Sequence, residues 1–203
     1  MKPAKLVLAS GNKGKLLEIT AMLRPLGFDL HPQSDWDVPE AAETAATFIE
    51  NALAKARNAA RYTDLPALAD DSGLVVPSLN GEPGIFSARY AGVGADDQAN
   101  MHKLLDQLRH KPGAGRKAYF YCAMVLVDTD DDPAPLIATA RWHGEILLTP
   151  IGDGGFGYDP VFAVDGLNCS AAELADTQKQ QFSHRGQALR KLVKQLHERD
   201  ISC

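Results

Sequence analysis

The chain has 203 residues, 45% of them apolar and 23% charged, which suits one enzyme-sized core and leaves no room for a long disordered tail. Asp and Glu outnumber Lys and Arg by 26 to 21, a net charge of −5. That excludes a general polyanion binder, because nucleic-acid affinity rests on many basic groups neutralising phosphates.

From the start, Leu6-Val7-Leu8-Ala9-Ser10 reads as a short buried strand. Residues 11–14 break it before an amphipathic stretch at 15–26, where Leu16, Ile19, Leu23 and Leu26 keep helical spacing and Pro25 kinks or ends the helix. The acidic, Pro39-containing stretch 33–44 suits a loop. Thr47 caps a long helix running to about Tyr62 through Phe48, Ala52, Ala56 and Ala59. A short strand at 65–69 leads into Asp70-Asp71-Ser72-Gly73, an acidic pair that interrupts the apolar run before Leu74-Val75-Val76 resumes it. Asp96-Asp97 caps a helix carrying Met101, Leu104, Leu105 and Leu108. Strands follow at 118–127 and 136–143, joined by a solvated hairpin loop. A second glycine loop spans 152–157, Ser170 and Glu173 form a capping box, and Ser183 caps a final helix with Leu189, Leu192, Val193 and Leu196 on one side. The order is mixed α/β, with no repeat and no linker that divides the chain.

Cys122, Cys169 and Cys203 form no Cys-x-x-Cys pair, so neither a disulfide framework nor a zinc site is indicated. No apolar run has membrane length, and the one after Lys5 is too short for a signal peptide. A cytoplasmic protein with no nucleic-acid or membrane partner is the expectation.

Chemistry concentrates in a few motifs. Ser10, Gly11, Asn12, Lys13, Gly14 and Lys15 place backbone N–H groups, a helix N-terminus and two ammonium groups together, an anion cradle distinct from a P-loop because its glycines are three apart and Leu16 replaces the magnesium-binding Ser or Thr. A tight turn with surface lysines accounts for it equally. Asp70 and Asp71 lie within apolar sequence, so a carboxylate there is partly desolvated, a cost that a bound cation offsets; Mg²⁺, which takes one or two carboxylates and completes its shell with phosphate oxygens and water, fits. A β-turn with Asp caps is the simpler alternative for that segment alone. Glu40 and Glu43 precede the long helix, in which Asn51 and Lys55 share a face. Phe156, Gly157, Tyr158 and Asp159 combine an aromatic face, exposed backbone donors and a carboxylate, suited to a flat heterocycle, unless Phe156 and Tyr158 are core residues at strand spacing. His184 and Arg185 can donate to a ligand carbonyl.

Taken in order, Ser10 to Lys15, Thr47-Phe48-Ile49-Glu50-Asn51-Ala52, Asp70-Asp71-Ser72-Gly73-Leu74, Pro83-Gly84-Ile85-Phe86-Ser87-Ala88-Arg89-Tyr90, Gly154 to Pro160 and Ser183-His184-Arg185-Gly186 strongly resemble the inosine/xanthosine triphosphate pyrophosphatase family over nearly the whole chain. The resemblance implies a single α/β domain over residues 1–203, with a long mixed central β-sheet, helices on both sides and two lobes forming a nucleotide-binding cleft. It implies a homodimer and a magnesium-dependent conversion of ITP, dITP or XTP to the monophosphate and pyrophosphate. By similarity Ser10 to Lys15 hold phosphates, and Asp71 is the catalytic carboxylate and metal ligand. Asp70 or Asp71 orients water, and Lys55 lies near the phosphates. Ser72, Phe156, Gly157, Tyr158, Asp159, Lys179, His184 and Arg185 contact the nucleotide. Many members carry two adjacent glutamates before the long helix, whereas Ala42 precedes Glu43 here; Glu43 is the expected second metal ligand and Glu40 its rival. A pyrophosphatase for modified pyrimidine nucleotides and a non-catalytic nucleotide-binding regulatory module are the alternatives.

Overall fold

The computed structural model describes residues 5–111 and 113–201, the side chains of Lys13, Gly113, Ala114, Asp200 and Ile201 excepted; Cys203 lies outside the described residues. Six strands form one sheet in the order β2-β1-β3-β4-β5-β6: β1 Lys5–Leu8, β2 Asp29–Pro32, β3 Ala67–Val75, β4 Lys117–Val127, β5 Leu136–Ile146 and β6 Phe162–Val164. β1 pairs in parallel with β2 and β3, and β5 pairs antiparallel with β6, so the sheet is mixed as expected. The helices are α1 Lys13–Leu23, α2 Phe48–Thr63, α3 Asp97–Gln107, α4 Asp176–Phe182 and α5 His184–Ile201.

Local chemistry sets the helix starts. Asn12, Thr47 and Asp96 each accept a hydrogen bond from the backbone N–H three residues on, Lys15, Glu50 and Ala99, which satisfies a donor that an open helix end leaves unpaired. The first helix ends before Pro25, whose ring is accommodated in a 3₁₀ turn at Arg24–Leu26.

The structure departs from the sequence reading in five places. β2 and β6 are strands of four and three residues without the alternation that marks a longer one. α4 is polar and spans only seven residues. The acidic pair does not interrupt the third strand, which runs unbroken through Asp70 and Asp71: Lys15 and Arg185 compensate Asp70, and Lys55 offsets part of the cost of burying Asp71. β5 also continues to Ile146, three residues past the expected end.

The chain divides into two compact units. The first takes the chain up to Asp71, Cys122–Ala140 and the chain from Arg185 onward; the second takes Ser72–Tyr121 and Arg141–His184. In the first, Leu6, Leu8 and Leu68 pack with Ile19 and Leu23 of α1 and with Ala188, Leu189 and Leu192 of α5. Successive strand residues point to opposite faces, so Asp70 shares the face of Leu68 while Asp71 takes the other.

In the second unit Leu74, Tyr90, Leu104, Leu108, Phe120, Trp142, Tyr158 and Phe162 form a separate core. Ser87 ties the Gly84–Arg89 turn to β3: its hydroxyl donates to the Gly84 carbonyl at 2.6 Å and accepts the Leu74 N–H at 2.9 Å. This contact needs a residue without Cβ at position 73, where a methyl group would lie 2.4 Å from both Gly84 O and Ser87 Oγ. Gly73→Ala should therefore lower stability by about 1–3 kcal/mol through overpacking, read as a lower urea midpoint with an unchanged slope.

Candidate active site

The first unit gathers two groups of charge on opposite faces of β3. On one face the buried Asp70 carboxylate lies 3.0 Å from Lys15 Nζ and 3.5 Å from Arg185 Nε, and Arg185 also bonds Glu18 of α1. Burial alone would raise the Asp70 pKa, but Lys15, Arg185 and Lys55 outweigh it and hold this carboxyl well below the usual range. Burial likewise opposes the charge on Arg185, yet Asp70 and Glu18 keep it protonated more firmly than an ordinary guanidinium. Asp70 is thus a fixed anion that orients Lys15.

On the other face Lys55 Nζ bridges two carboxylates, 2.9 Å from Glu43 Oε1 and 3.2 Å from Asp71 Oδ1. Asn51, one helical turn before Lys55, donates to Asp71 Oδ2 at 3.4 Å while its own Oδ1 accepts the Ala45 N–H at 3.1 Å. The expected common face of Asn51 and Lys55 therefore holds the segment before α2 against β3. Burial raises the Asp71 pKa, Lys55 and Lys15 offset only part of the rise, and Glu43 adds to it. Lys55, despite its own burial, is held charged by Asp71, Asp70 and Glu43. Two neighbouring aspartates thus differ in kind: Asp70 is a locked anion, and Asp71 is the more basic carboxylate.

Among the described residues no group of three or more His, Cys, Asp or Glu side chains gathers as a metal cage. Magnesium needs fewer, since one or two carboxylates suffice when substrate phosphates and water supply the rest. Asp71 and Glu43 offer hard oxygen donors, and their sharing of one ammonium shows that both reach a single cationic point. The donor set fits such an ion. Glu40, the rival, lies instead against the cradle, where a methyl group on Gly11 would come 3.3 Å from its Oε1.

The cradle itself is closed by short-range bonds. Asn12 N–H donates to Ser10 Oγ at 3.3 Å, and Asn12 Oδ1 accepts the Lys15 N–H at 3.1 Å. The strand end is pinned by the Ala9 N–H on Leu68 O at 2.8 Å. Gly14 lies in the first turn of α1, and the Lys13 side chain lies outside the described residues.

The second unit holds the aromatic motif. Asp159 Oδ2 accepts the Phe156 N–H at 2.8 Å and Lys179 Nζ at 2.7 Å, and the same ammonium lies 4.8 Å from the centre of the Phe156 ring. The Gly157 N–H is bonded to Asp97 Oδ2 at 2.7 Å. The exposed backbone donors expected here are therefore occupied at Phe156 and Gly157, the first by Asp159 of the same loop and the second by Asp97, sixty residues away in sequence. Phe156 is half-buried, whereas Tyr158 belongs to the core and its hydroxyl donates to Ser87 O at 2.9 Å. His184 is stacked on Phe120 with ring centres 4.8 Å apart and planes 8° from parallel, with Trp142 beyond it. Ser72 is half-buried on β3.

Sequence reasoning gave no site role to Glu18, Ser87 or Asp97. Glu18 carried a signal, standing one helical turn after Lys15 and so on the same face of α1. Asp97 read only as a helix cap.

The sequence pattern that defines the Ham1 family matches residues 6–195. The chain belongs to the Ham1 family. It is 53% identical over 194 residues to the dITP/XTP pyrophosphatase of Vibrio cholerae serotype O1, covering 96% of this chain and 97% of that one. It is 52% identical over 200 residues to the dITP/XTP pyrophosphatase of Idiomarina loihiensis, covering 97% and 99%. Among solved structures, a HAM1 protein from Coxiella burnetii matches with a TM-score of 0.89 at 48% identity over 96% of this chain and 99% of that chain. The nucleoside-triphosphatase / dITP/XTP pyrophosphatase of Mycobacterium abscessus matches with a TM-score of 0.75 at 42% identity, over 95% and 99%. The resemblance drawn from six short motifs thus extends through nearly the full length of this Ham1 chain, and the α/β fold with its mixed sheet is that of the family.

Proposed function

We infer that this chain hydrolyses non-standard purine nucleoside triphosphates, dITP, XTP and ITP, to the nucleoside monophosphate and pyrophosphate, and so cleanses the nucleotide pool. The observation that carries the reading is the pair of differently tuned aspartates on β3, each tied to a lysine, in a chain half identical to dITP/XTP pyrophosphatases. The modified-pyrimidine and non-catalytic alternatives find no support among those relatives.

Phosphoryl transfer asks for positioning and charge neutralisation more than covalent chemistry. We assign the phosphate chain to the cradle from Ser10 to Lys15 and to Lys55. Lys15, oriented by Asp70, meets phosphate charge with a fixed ammonium. Asp71, whose burial makes it the better proton acceptor, holds the attacking water and takes its proton on a carboxylate oxygen. A magnesium ion held by Asp71 and Glu43 would supply Lewis-acid neutralisation of the phosphate oxygens.

For the base, Phe156 is the stacking surface, backed by Asp159 and Lys179, with Ser72, Gly157 and Tyr158 shaping it. His184 and Arg185 are the donors to the 6-oxo atom. A guanidinium has five N–H donors, so the anchoring of Arg185 by Glu18 and Asp70 is compatible with a further bond to the base. Adenine turns a 6-amino donor toward these donors, and one unpaired buried donor costs roughly 1–3 kcal/mol, about tenfold to a hundredfold in selectivity. Homodimer formation is proposed on the resemblance alone. Cytoplasmic residence rests on the substrate class and the free thiol of Cys122. No described helix is long and apolar enough to cross a membrane.

Product analysis tests the whole. With magnesium, ITP, dITP and XTP should release pyrophosphate at least about tenfold faster than ATP, and chelation should stop release. Orthophosphate as the sole product, or equal turnover of ITP and ATP, would overturn the assignment.

A further inference from the structure

The glycine loop of the second unit carries the aromatic ring. Two of its consecutive amides are held by carboxylates. Asp159, within the loop, takes the Phe156 N–H; Asp97, some sixty positions earlier in the chain, takes the Gly157 N–H at 2.7 Å. Asp97 is the first residue of α3, whose cap is supplied by Asp96 on the Ala99 N–H at 2.7 Å. Capping therefore does not require the Asp97 carboxylate, which is turned to the loop.

The helix that presents Asp97 is itself anchored. Asn100, one turn on and buried, accepts the Ala91 N–H at 2.7 Å and donates to Ala88 O at 3.3 Å, so α3 is fixed to the segment that follows Ser87. Tyr158, next to Gly157, reaches Ser87 O with its hydroxyl at 2.9 Å. The residue after the aromatic ring and the one beyond it are thus held from two points of one segment, residues 87–100, which Asn100 ties together. Phe156 lies between this grip and the Asp159–Lys179 ion pair, with the Lys179 ammonium 4.8 Å from its ring centre.

We propose that Asp97 is a positioning residue for base recognition: through the Gly157 N–H it holds the Phe156 loop in the form that receives the purine, without touching substrate. The proposal rests on the assignment of Phe156 to the base. A charge-assisted bond of 2.7 Å limits the loop to one arrangement, and without it the ordering cost falls on each binding event, so the loss belongs in KM rather than in the chemical step.

Asp97→Ala should raise KM for ITP about tenfold to a hundredfold, the range set by one hydrogen bond to a charged group, with kcat within about twofold. Inhibition by inorganic tripolyphosphate, which has no base, should be unchanged. Asp97→Asn keeps a side-chain oxygen at the same reach but not its charge, and should recover part of the loss, with a KM between those of Asp97→Ala and the wild type. Amide hydrogen exchange of Gly157 in the ligand-free wild-type chain gives a test that needs no variant: protection supports the latch, and exchange at the rate of an open peptide overturns it. An unchanged KM in Asp97→Ala, or a fall in kcat with weaker tripolyphosphate inhibition, would also overturn it. Absence of ITP turnover by the wild type would dismiss the functional reading instead, and the exchange measurement would still decide whether Asp97 holds the loop.

Discussion

Replacing Asp71 by Asn should reduce pyrophosphate release by roughly 10²–10⁴-fold or more, the scale of losing a general base, while the protein unfolds at an equal or higher denaturant concentration. The two halves of this result share one cause. Burial and Glu43 raise the Asp71 pKa above its ordinary value by more than Lys55 and Lys15 lower it. A carboxyl whose folded pKa is raised is destabilising once ionised, so above that pKa the fold bears a cost that the amide relieves. The amide is also nearly isosteric, and its oxygen can still accept from Lys55, which lies 3.2 Å from Asp71 Oδ1 in the native chain. What is lost is the charge that draws a proton from water and the anionic oxygen proposed to hold the metal. Steady-state turnover and urea unfolding at pH 7 check the two halves. Near-normal activity would remove Asp71 from the mechanism, and a large loss of stability would remove the account of its pKa.

Arg185→Leu should act in the opposite sense, destabilising the fold by about 3–5 kcal/mol, the cost of leaving a buried charge without its partner. For a chain of this length that corresponds to a fall in Tm of roughly 6–20 °C. The Asp70 side chain has no exposed surface and Arg185 is 3% exposed, so water cannot replace the lost guanidinium. Asp70 would keep Lys15 but lose the guanidinium, and Glu18 would lose its bond to Arg185. Because the folded pKa of Asp70 is depressed, its contribution is fully present above the unfolded value of about 3.9 and is lost as pH falls through the folded value. The gap between wild type and variant should therefore be widest near neutral pH and narrow below about pH 4. Changing Asp70 to Leu in the same chain should recover part of the stability, since two buried charges would then go together. A difference that does not depend on pH would count against the ion-pair explanation.

Much of this architecture was legible because its causes are local. The caps at Asn12, Thr47 and Asp96 are bonds between residues three apart, so the start of each helix can be read from a few letters. Asn51 and Lys55 share a face because four residues are about one helical turn. The glycine turn after β1 was readable from its local spacing, and the family membership from motif order, which a linear sequence preserves. β2, β6 and α4 were not legible, because elements of three to seven residues carry too few positions for a period to stand out. Strands this short are defined by the neighbour they pair with, β1 for one and β5 for the other.

The aspartate pair shows where sequence stops. Read alone, Asp70-Asp71 looks like a break in an apolar strand, and nothing in two identical letters says which would be the base. The sequence by itself determined the local elements, the chemical types gathered in each motif and the family. Tertiary structure gave the two carboxylates different surroundings, for a physical reason: a strand turns successive side chains to opposite faces. Asp70 thereby meets Lys15 and Arg185, from helices at the two ends of the chain, while Asp71 meets Lys55, Asn51 and, through Lys55, Glu43. The same holds for the loop after Gly155, whose amides looked available until Asp97 and Asp159 were found to take two of them. Charges far apart in sequence set the pKa values and hydrogen bonds of a site, and only the folded chain brings them within reach.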